Sequence, residues 1–138
     1  MESNKKSSVL ACVTGQYDCD RIISTAGELA EIKNAPLHVL CVLKPTENYG
    51  SLSGELEYLY QTAKANGADM TILFSENAPK AAADFARETR CKRIVTGMHD
   101  GKMNSFLVVF NQLRPDIPIT MVDKNNTVYS MEPIKQQV

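Results

Sequence analysis

Residues 9–18 read Val9-Leu10-Ala11-Cys12-Val13-Thr14-Gly15-Gln16-Tyr17-Asp18. Five apolar residues on consecutive positions, then a hydroxyl, a glycine and polar residues, describe a strand, Ser8 to Thr14, that ends in a sharp turn. An unbroken apolar run suits a strand covered on both faces, as in a parallel sheet. Four more β-rich segments follow: Leu37 to Leu43, interrupted only by His38, then Asp69 to Phe74, Arg93 to Thr96 and Ile117 to Val122.

Helical periodicity fills the gaps. Ile22, Ala26, Leu29 and Ala30 share one stripe, with Lys33 at its solvent edge, Asp18 as the expected cap and Asn34 and Pro36 near its end. Leu56, Leu59, Tyr60 and Ala63 mark a second helix, which Asn66-Gly67 can end through a left-handed residue. Ala78, Ala82, Phe85, Ala86 and Thr89 mark a third, capped by Asn77, with Pro79 in the first turn where its missing N–H does no harm. The fourth runs from about Ser105 to Leu113 behind Asn104. Its Phe106, Leu107, Val108, Val109 and Phe110 leave almost no polar face, so the domain or a partner chain must cover more than one side.

Right-handed crossovers turn this β-α-β-α-β-α-β-α-β order into an α/β three-layer sandwich. The expected sheet is five-stranded and parallel, in the order 3-2-1-4-5. Residues 1–123 form one domain on this reading, and 124–138 a flexible or partner-docked tail in which Val128, Tyr129 and Met131 can make a brief extended segment. With 138 residues, about two-thirds of the chain's surface can be buried, enough for one core and too little for two.

Composition narrows the function classes. Hydrophobic residues are 43% and charged residues 22%, which excludes wholesale disorder. A net charge of -1 supplies no basic field for a nucleic-acid backbone, so no nucleic-acid partner is expected. No apolar run approaches the ~20 residues that cross a bilayer, and the polar start Met1-Glu2-Ser3-Asn4-Lys5-Lys6 has no signal core behind it. A cytoplasmic location with no membrane partner is the expectation. Cys12, Cys19, Cys41 and Cys91 show no C-x-x-C pairing, and Cys12 and Cys41 sit inside apolar runs, as buried thiols do.

In sheets of this kind ligands bind beyond the carboxyl ends of the strands, where strand order reverses. That crevice lies between strands one and four. Its rims are Thr14-Gly15-Gln16-Tyr17 and Gly97-Met98-His99-Asp100-Gly101, each with a glycine at the strand end and each leading into a helix N-terminus that offers free N–H groups. Turn geometry alone also explains a glycine there, so both readings stand.

The segments Val9–Gly15, Arg21-Ile22-Ile23, Ala26–Ala30, Leu37–Val42, Arg93–Gly97 and Arg114–Ile117 together resemble the universal stress protein family, and within it the stress-protein-like domain of potassium-sensing sensor kinases. The resemblance covers about residues 8–123. It implies a stress-response regulatory or binding module, a homodimer through the last strand, and an adenine nucleotide, ATP or AMP, as ligand. Carried onto this chain, the ligand contacts are Thr14, Gly15, Gln16, Val42, Gly97, Met98, His99, Gly101, Asn104 and Ser105. ATP-binding members carry G-x-x-G-x9-G-[ST] after strand four. Here Gly97 matches the first glycine, Asp100 stands where the second belongs, Gly101 comes one later, and Asn104-Ser105 replaces the final pair. The loop is thus short by several residues, and a carboxylate beside a triphosphate repels it unless Mg²⁺ bridges them. A smaller ligand such as AMP or adenosine is the alternative.

The cyclic-dinucleotide site of the sensor-kinase relatives needs a serine-rich first loop, and Gln16-Tyr17-Asp18 has no serine. Thr14–Cys19 also resembles the S-G-G-x-D-S loop of ATP pyrophosphatases, with Gln16 and Cys19 in place of a glycine and a serine. His99 beside Asp100 is the one acid–base candidate, and His38 reads as a packed strand histidine. No motif places a reaction, so the chain reads as a non-enzyme. Dimerisation is expected through Ile117–Val122 as an open edge strand, with the apolar fourth helix beside it. The alternative is a scaffold without nucleotide binding that acts through homodimer or partner contacts.

Overall fold

Alternate side chains of one strand enter two different cores, which is what makes the middle of this molecule a sheet between helices. Strand β1 (Ser8–Val13) sends Val9, Ala11 and Val13 into a cluster with Ile22, Ile23, Ala26 and Ala30 of helix α1 (Asp20–Ile32) and Leu59 and Ala63 of helix α2 (Ser53–Ala65). Its Leu10 and Cys12 enter a second cluster with Ala82, Ala83 and Ala86 of helix α3 (Ala78–Glu88) and Leu107 and Phe110 of helix α4 (Ser105–Leu113). All six residues of β1 are buried. These features come from a computed structural model that describes residues 7–15, 17–45, 50–98 and 105–134.

The remaining strands are β2 (Leu37–Leu43), β3 (Asp69–Phe74), β4 (Cys91–Gly97), β5 (Ile119–Val122) and β6 (Val128–Met131). Their order across the sheet is β3-β2-β1-β4-β5-β6, and the first five run parallel. The expected α/β sandwich and the 3-2-1-4-5 order are therefore present. Asn77 caps α3 as read, its side chain accepting from the Lys80 N–H at 3.2 Å. Gly67, with φ +77°, supplies the left-handed residue after α2.

Several expectations need correction. The sheet has six strands, not five, because Val128–Met131 folds back antiparallel on β5, with Met121 opposite Tyr129. The connecting turn is held by the Asp123 carboxylate, whose Oδ1 accepts from the N–H groups of Asn125 and Thr127, both at 2.9 Å. Asn126 takes the positive φ, +62°. Arg93 then ties the end of β6 down, donating to both Glu132 oxygens (3.1 and 2.9 Å) and to Thr120 Oγ1 (2.9 Å). Residues 128–131 are thus part of the sheet and not of a tail, and Ile117–Val122 is not an open edge. The ladder of β5 starts only at Ile119, since Ile117 and Pro118 belong to the approach turn. β4 is longer than read, starting at Cys91 and reaching Gly97. Asp18 does not cap α1. It lies in a short 3-10 turn, Tyr17–Cys19, and pairs with Arg21 at 3.3 Å. The expected cap Asn104 falls outside the described residues.

Candidate functional site

β1 and β4 are neighbours with Ala11 beside Val95, so two residues later Val13 and Gly97 end the two strands together. Gly15 and Gly97 consequently share one rim of the sheet, as the sequence reading requires. The two glycines have packing reasons of their own. Gly15 sits at φ +91°, which an L side chain adopts only under strain, and a Cβ there would meet Leu56, Cys41 and Leu43 at 3.5–3.9 Å. A Cβ on Gly97 would press on Ile22 Cδ1 at 3.1 Å and Arg21 Nη2 at 3.6 Å. Both therefore let α1 and α2 close over this end of the sheet.

Arg21, named in the sequence only as part of a resemblance, organises that closure. Its Nε donates to the Asp123 carbonyl oxygen at 2.8 Å, and its Nη1 donates to the Asp18 carbonyl oxygen. It clamps the start of α1 to the end of β5. The loss of that one side chain would free both segments.

The opposite face of the same rim is open. A cleft of about 180 Å³ is lined by Cys12, Val13, Thr14, Leu40, Val42, Ala78, Thr96 and Phe106. It lies where β1, β2 and β4 end, between the first turns of α3 and α4. Thr14 and Val42 of the expected set line it. Met98 is buried instead, packed in the α3/α4 core, and Ser105 is exposed at the first turn of α4. Gln16, His99, Gly101 and Asn104, with Asp100, lie outside the described residues. Cys12, Leu40, Ala78, Thr96 and Phe106 were missed by sequence reading. Thr96 carried a signal: it is a hydroxyl that follows Ile94 and Val95 near the carboxyl end of β4, and it is buried.

Chemically the cleft is an apolar slot with two threonines in its wall, the Thr14 hydroxyl lying 3.5 Å from Cys19 Sγ. Its thiol is not a nucleophile at neutral pH, because burial pushes the Cys12 pKa far above the ordinary thiol value. Burial likewise raises Cys41 to about 12 and Cys91 to about 11. All four cysteines are free and buried. His38 lies at the other end of β2, edge-on to Phe85 with ring centroids 6.2 Å apart, and its pKa is lowered by burial against an opposing pull from Asp69. Among the described residues no group of three His, Cys, Asp or Glu side chains gathers to hold a metal ion. Among them, too, no helix is long and apolar enough to cross a membrane.

Solved structures with this architecture include universal stress proteins. The one from Archaeoglobus fulgidus in complex with dAMP superposes with a TM-score of 0.67 at 18% identity, covering 85% of this chain and 98% of that one. This chain has the universal stress protein fold. A further universal stress protein, in complex with cAMP, matches with a TM-score of 0.62 at 18% identity, over 86% of this chain and 98% of the other. In sequence, 92 residues, or 67% of the chain, are 27% identical to the sensor protein KdpD of Mycobacterium tuberculosis. That stretch spans 11% of the sensor protein's length. No protein-family model matches the chain. Both halves of the resemblance read from the sequence, to universal stress proteins and to a sensor protein, are thus present in the comparisons. The open cleft lies beyond the carboxyl ends of strands flanking a reversal of strand order, where open α/β sheets form binding crevices.

Proposed function

We propose that the chain is a regulatory binding module, not an enzyme, that seats an adenine nucleotide or a similar small ligand where β1 and β4 end. The observation that carries this reading is the cleft itself: about 180 Å³, with apolar walls from Leu40, Val42 and Phe106 and the polar residues Thr14 and Thr96 among its lining. Apolar walls with a few convergent polar groups are the usual make-up of a small-molecule site. Its volume is below the ~300–1,000 Å³ of drug-sized sites, so it suits a planar base with sugar and phosphate lying outside, over the rim. The dAMP and cAMP complexes of proteins with this fold support an adenine ligand. On this reading Thr14 and Val42 touch the base, and the backbone at Gly15 and Gly97 and the hydroxyl of Ser105 flank the sugar and phosphate.

The test is a thermal-shift titration with adenosine, AMP, dAMP, ATP and a cyclic dinucleotide. A ligand at 100 times its Kd adds about 2.7 kcal/mol of stability. AMP or dAMP is expected to raise Tm, and Ala78→Leu, which fills the slot from α3, is expected to abolish the rise while leaving the free protein folded. No shift with any of the five at millimolar concentration overturns the reading. The scaffold reading then stands in its place. It is favoured by one observation: the lack of a side chain at Gly97 is used by Ile22 and Arg21, so packing alone accounts for that glycine.

A further inference from the structure

The two edges of the sheet are finished differently. β6 has four residues and is followed at once by Glu132 and Pro133, a charge and an imino acid that discourage further strand addition. β3 has six residues, Asp-Met-Thr-Ile-Leu-Phe, and nothing among the described residues pairs with its outer side. It carries no lysine and no proline, and its one charge is Asp69 at the start. Ile72 and Phe74 are exposed to 38% and 62%. By strand alternation they share a face with Met70, which packs against the α1/α2 core, so they lie on the side covered by α2.

The helix beside that edge continues the surface. Tyr58 of α2 faces α1, donating its hydroxyl hydrogen to Asp20 Oδ2 at 2.6 Å. At 100° per residue, Glu57, Tyr60 and Lys64 fall on the opposite flank, toward the free edge. All three are exposed. Lys64 Nζ lies 5.5 Å from the Tyr60 ring centroid, and Glu57 accepts from Gln61 at 3.1 Å. One flank therefore holds an acid and a base two turns apart with an aromatic ring between them.

We propose that a second copy of this chain docks along β3, the two β3 strands pairing antiparallel about a two-fold axis and the two α2 helices lying side by side. Charge complementarity selects a second copy as the occupant. A two-fold axis level with Tyr60 and Gln61, near the middle of α2 and of β3, sets Glu57 opposite the partner's Lys64 and Lys64 opposite the partner's Glu57. The same axis, crossing β3 at Ile72, sets Ile72 and Tyr60 beside their own copies and Phe74 beside the partner's Met70, and it satisfies the open row of N–H and C=O groups. This interface replaces the β5 edge that the sequence suggested and that β6 occupies.

Sedimentation equilibrium of the full chain tests it. The expected mass is twice the 15.3 kDa of one chain. Phe74→Lys is expected to give a monomer with an unchanged circular dichroism spectrum. Glu57→Lys and Lys64→Glu each place like charges across the axis and should weaken the dimer about tenfold, whereas Glu57→Lys/Lys64→Glu together should recover it. An equimolar mixture of the two single variants should pair with each other in preference to themselves. A wild-type chain that stays monomeric at the highest attainable concentration overturns the proposal. So does a dimer that survives Phe74→Lys and both charge reversals but falls apart in Val108→Glu on α4.

Discussion

At the carboxyl end of its strands the sheet has one closed face and one open face. On the closed face α1 and α2 press side chains onto Gly15 and Gly97, and Arg21 ties α1 to the end of β5. On the open face α3 and α4 stand apart enough to leave a cleft of about 180 Å³. The difference teaches that a glycine at a strand end can serve the filled side of a sheet while an open cleft lies on the other. The glycine pattern read from the sequence marks this rim and not the face on which the cleft opens.

Four experiments can break or sharpen this contrast. The largest effect is expected from Phe110→Ala. Phe110 is fully buried and stacks on Phe106 at 6.1 Å, so it anchors α4 beside the cleft. A loss of about 3–5 kcal/mol in urea unfolding is expected. A much smaller loss would mean that α4 is not seated as described. Gly97→Val comes next. Its methyl groups must displace Ile22 and Arg21, at a cost of about 1–3 kcal/mol. A neutral result there would show the closed face to be loose.

Gly15→Ala should cost about 1–2 kcal/mol, chiefly from the positive φ and not from contact, since its nearest neighbours stand at 3.5 Å or more. Gly15→Asn, which tolerates that backbone region better, should cost less than Gly15→Ala, and the reverse ranking would assign the cost to packing. The smallest effect concerns pH. His38 faces the α3 side against Phe85, and its folded pKa lies below the ordinary 6.5 because burial penalises the imidazolium. The unfolded chain therefore takes up this proton first. Stability is full above about pH 6.5 and declines as pH falls through the lower folded value. His38→Gln should flatten the dependence of Tm on pH between 7 and 5. Equal slopes in the two proteins would remove His38 from the account.

Much of the fold was legible because its inner strands are apolar on both faces. The strand read as Ser8–Thr14 is β1, one residue shorter, and Leu37–Leu43 and Asp69–Phe74 matched the observed bounds. β6 was not legible in the same way. Its Val128, Tyr129 and Ser130 are all exposed, so no burial pattern marks them, and the strand exists because an Asp123 turn and an Arg93 fork hold it against β5. At the site, Thr14 and Val42 were found through strand ends. Phe106, Ala78 and Thr96 were not, because they meet only when α3, α4 and β4 converge, far apart in the chain.

The order of strands and helices and the parallel sense of the first five strands follow from the sequence alone. They depend on local properties: runs of apolar residues, capping residues and the handedness of crossovers. Which face of the rim is filled, which edge is finished and which is left open were decided by tertiary structure. Those outcomes depend on how side chains from separate helices share a fixed volume, and no local pattern encodes that sharing.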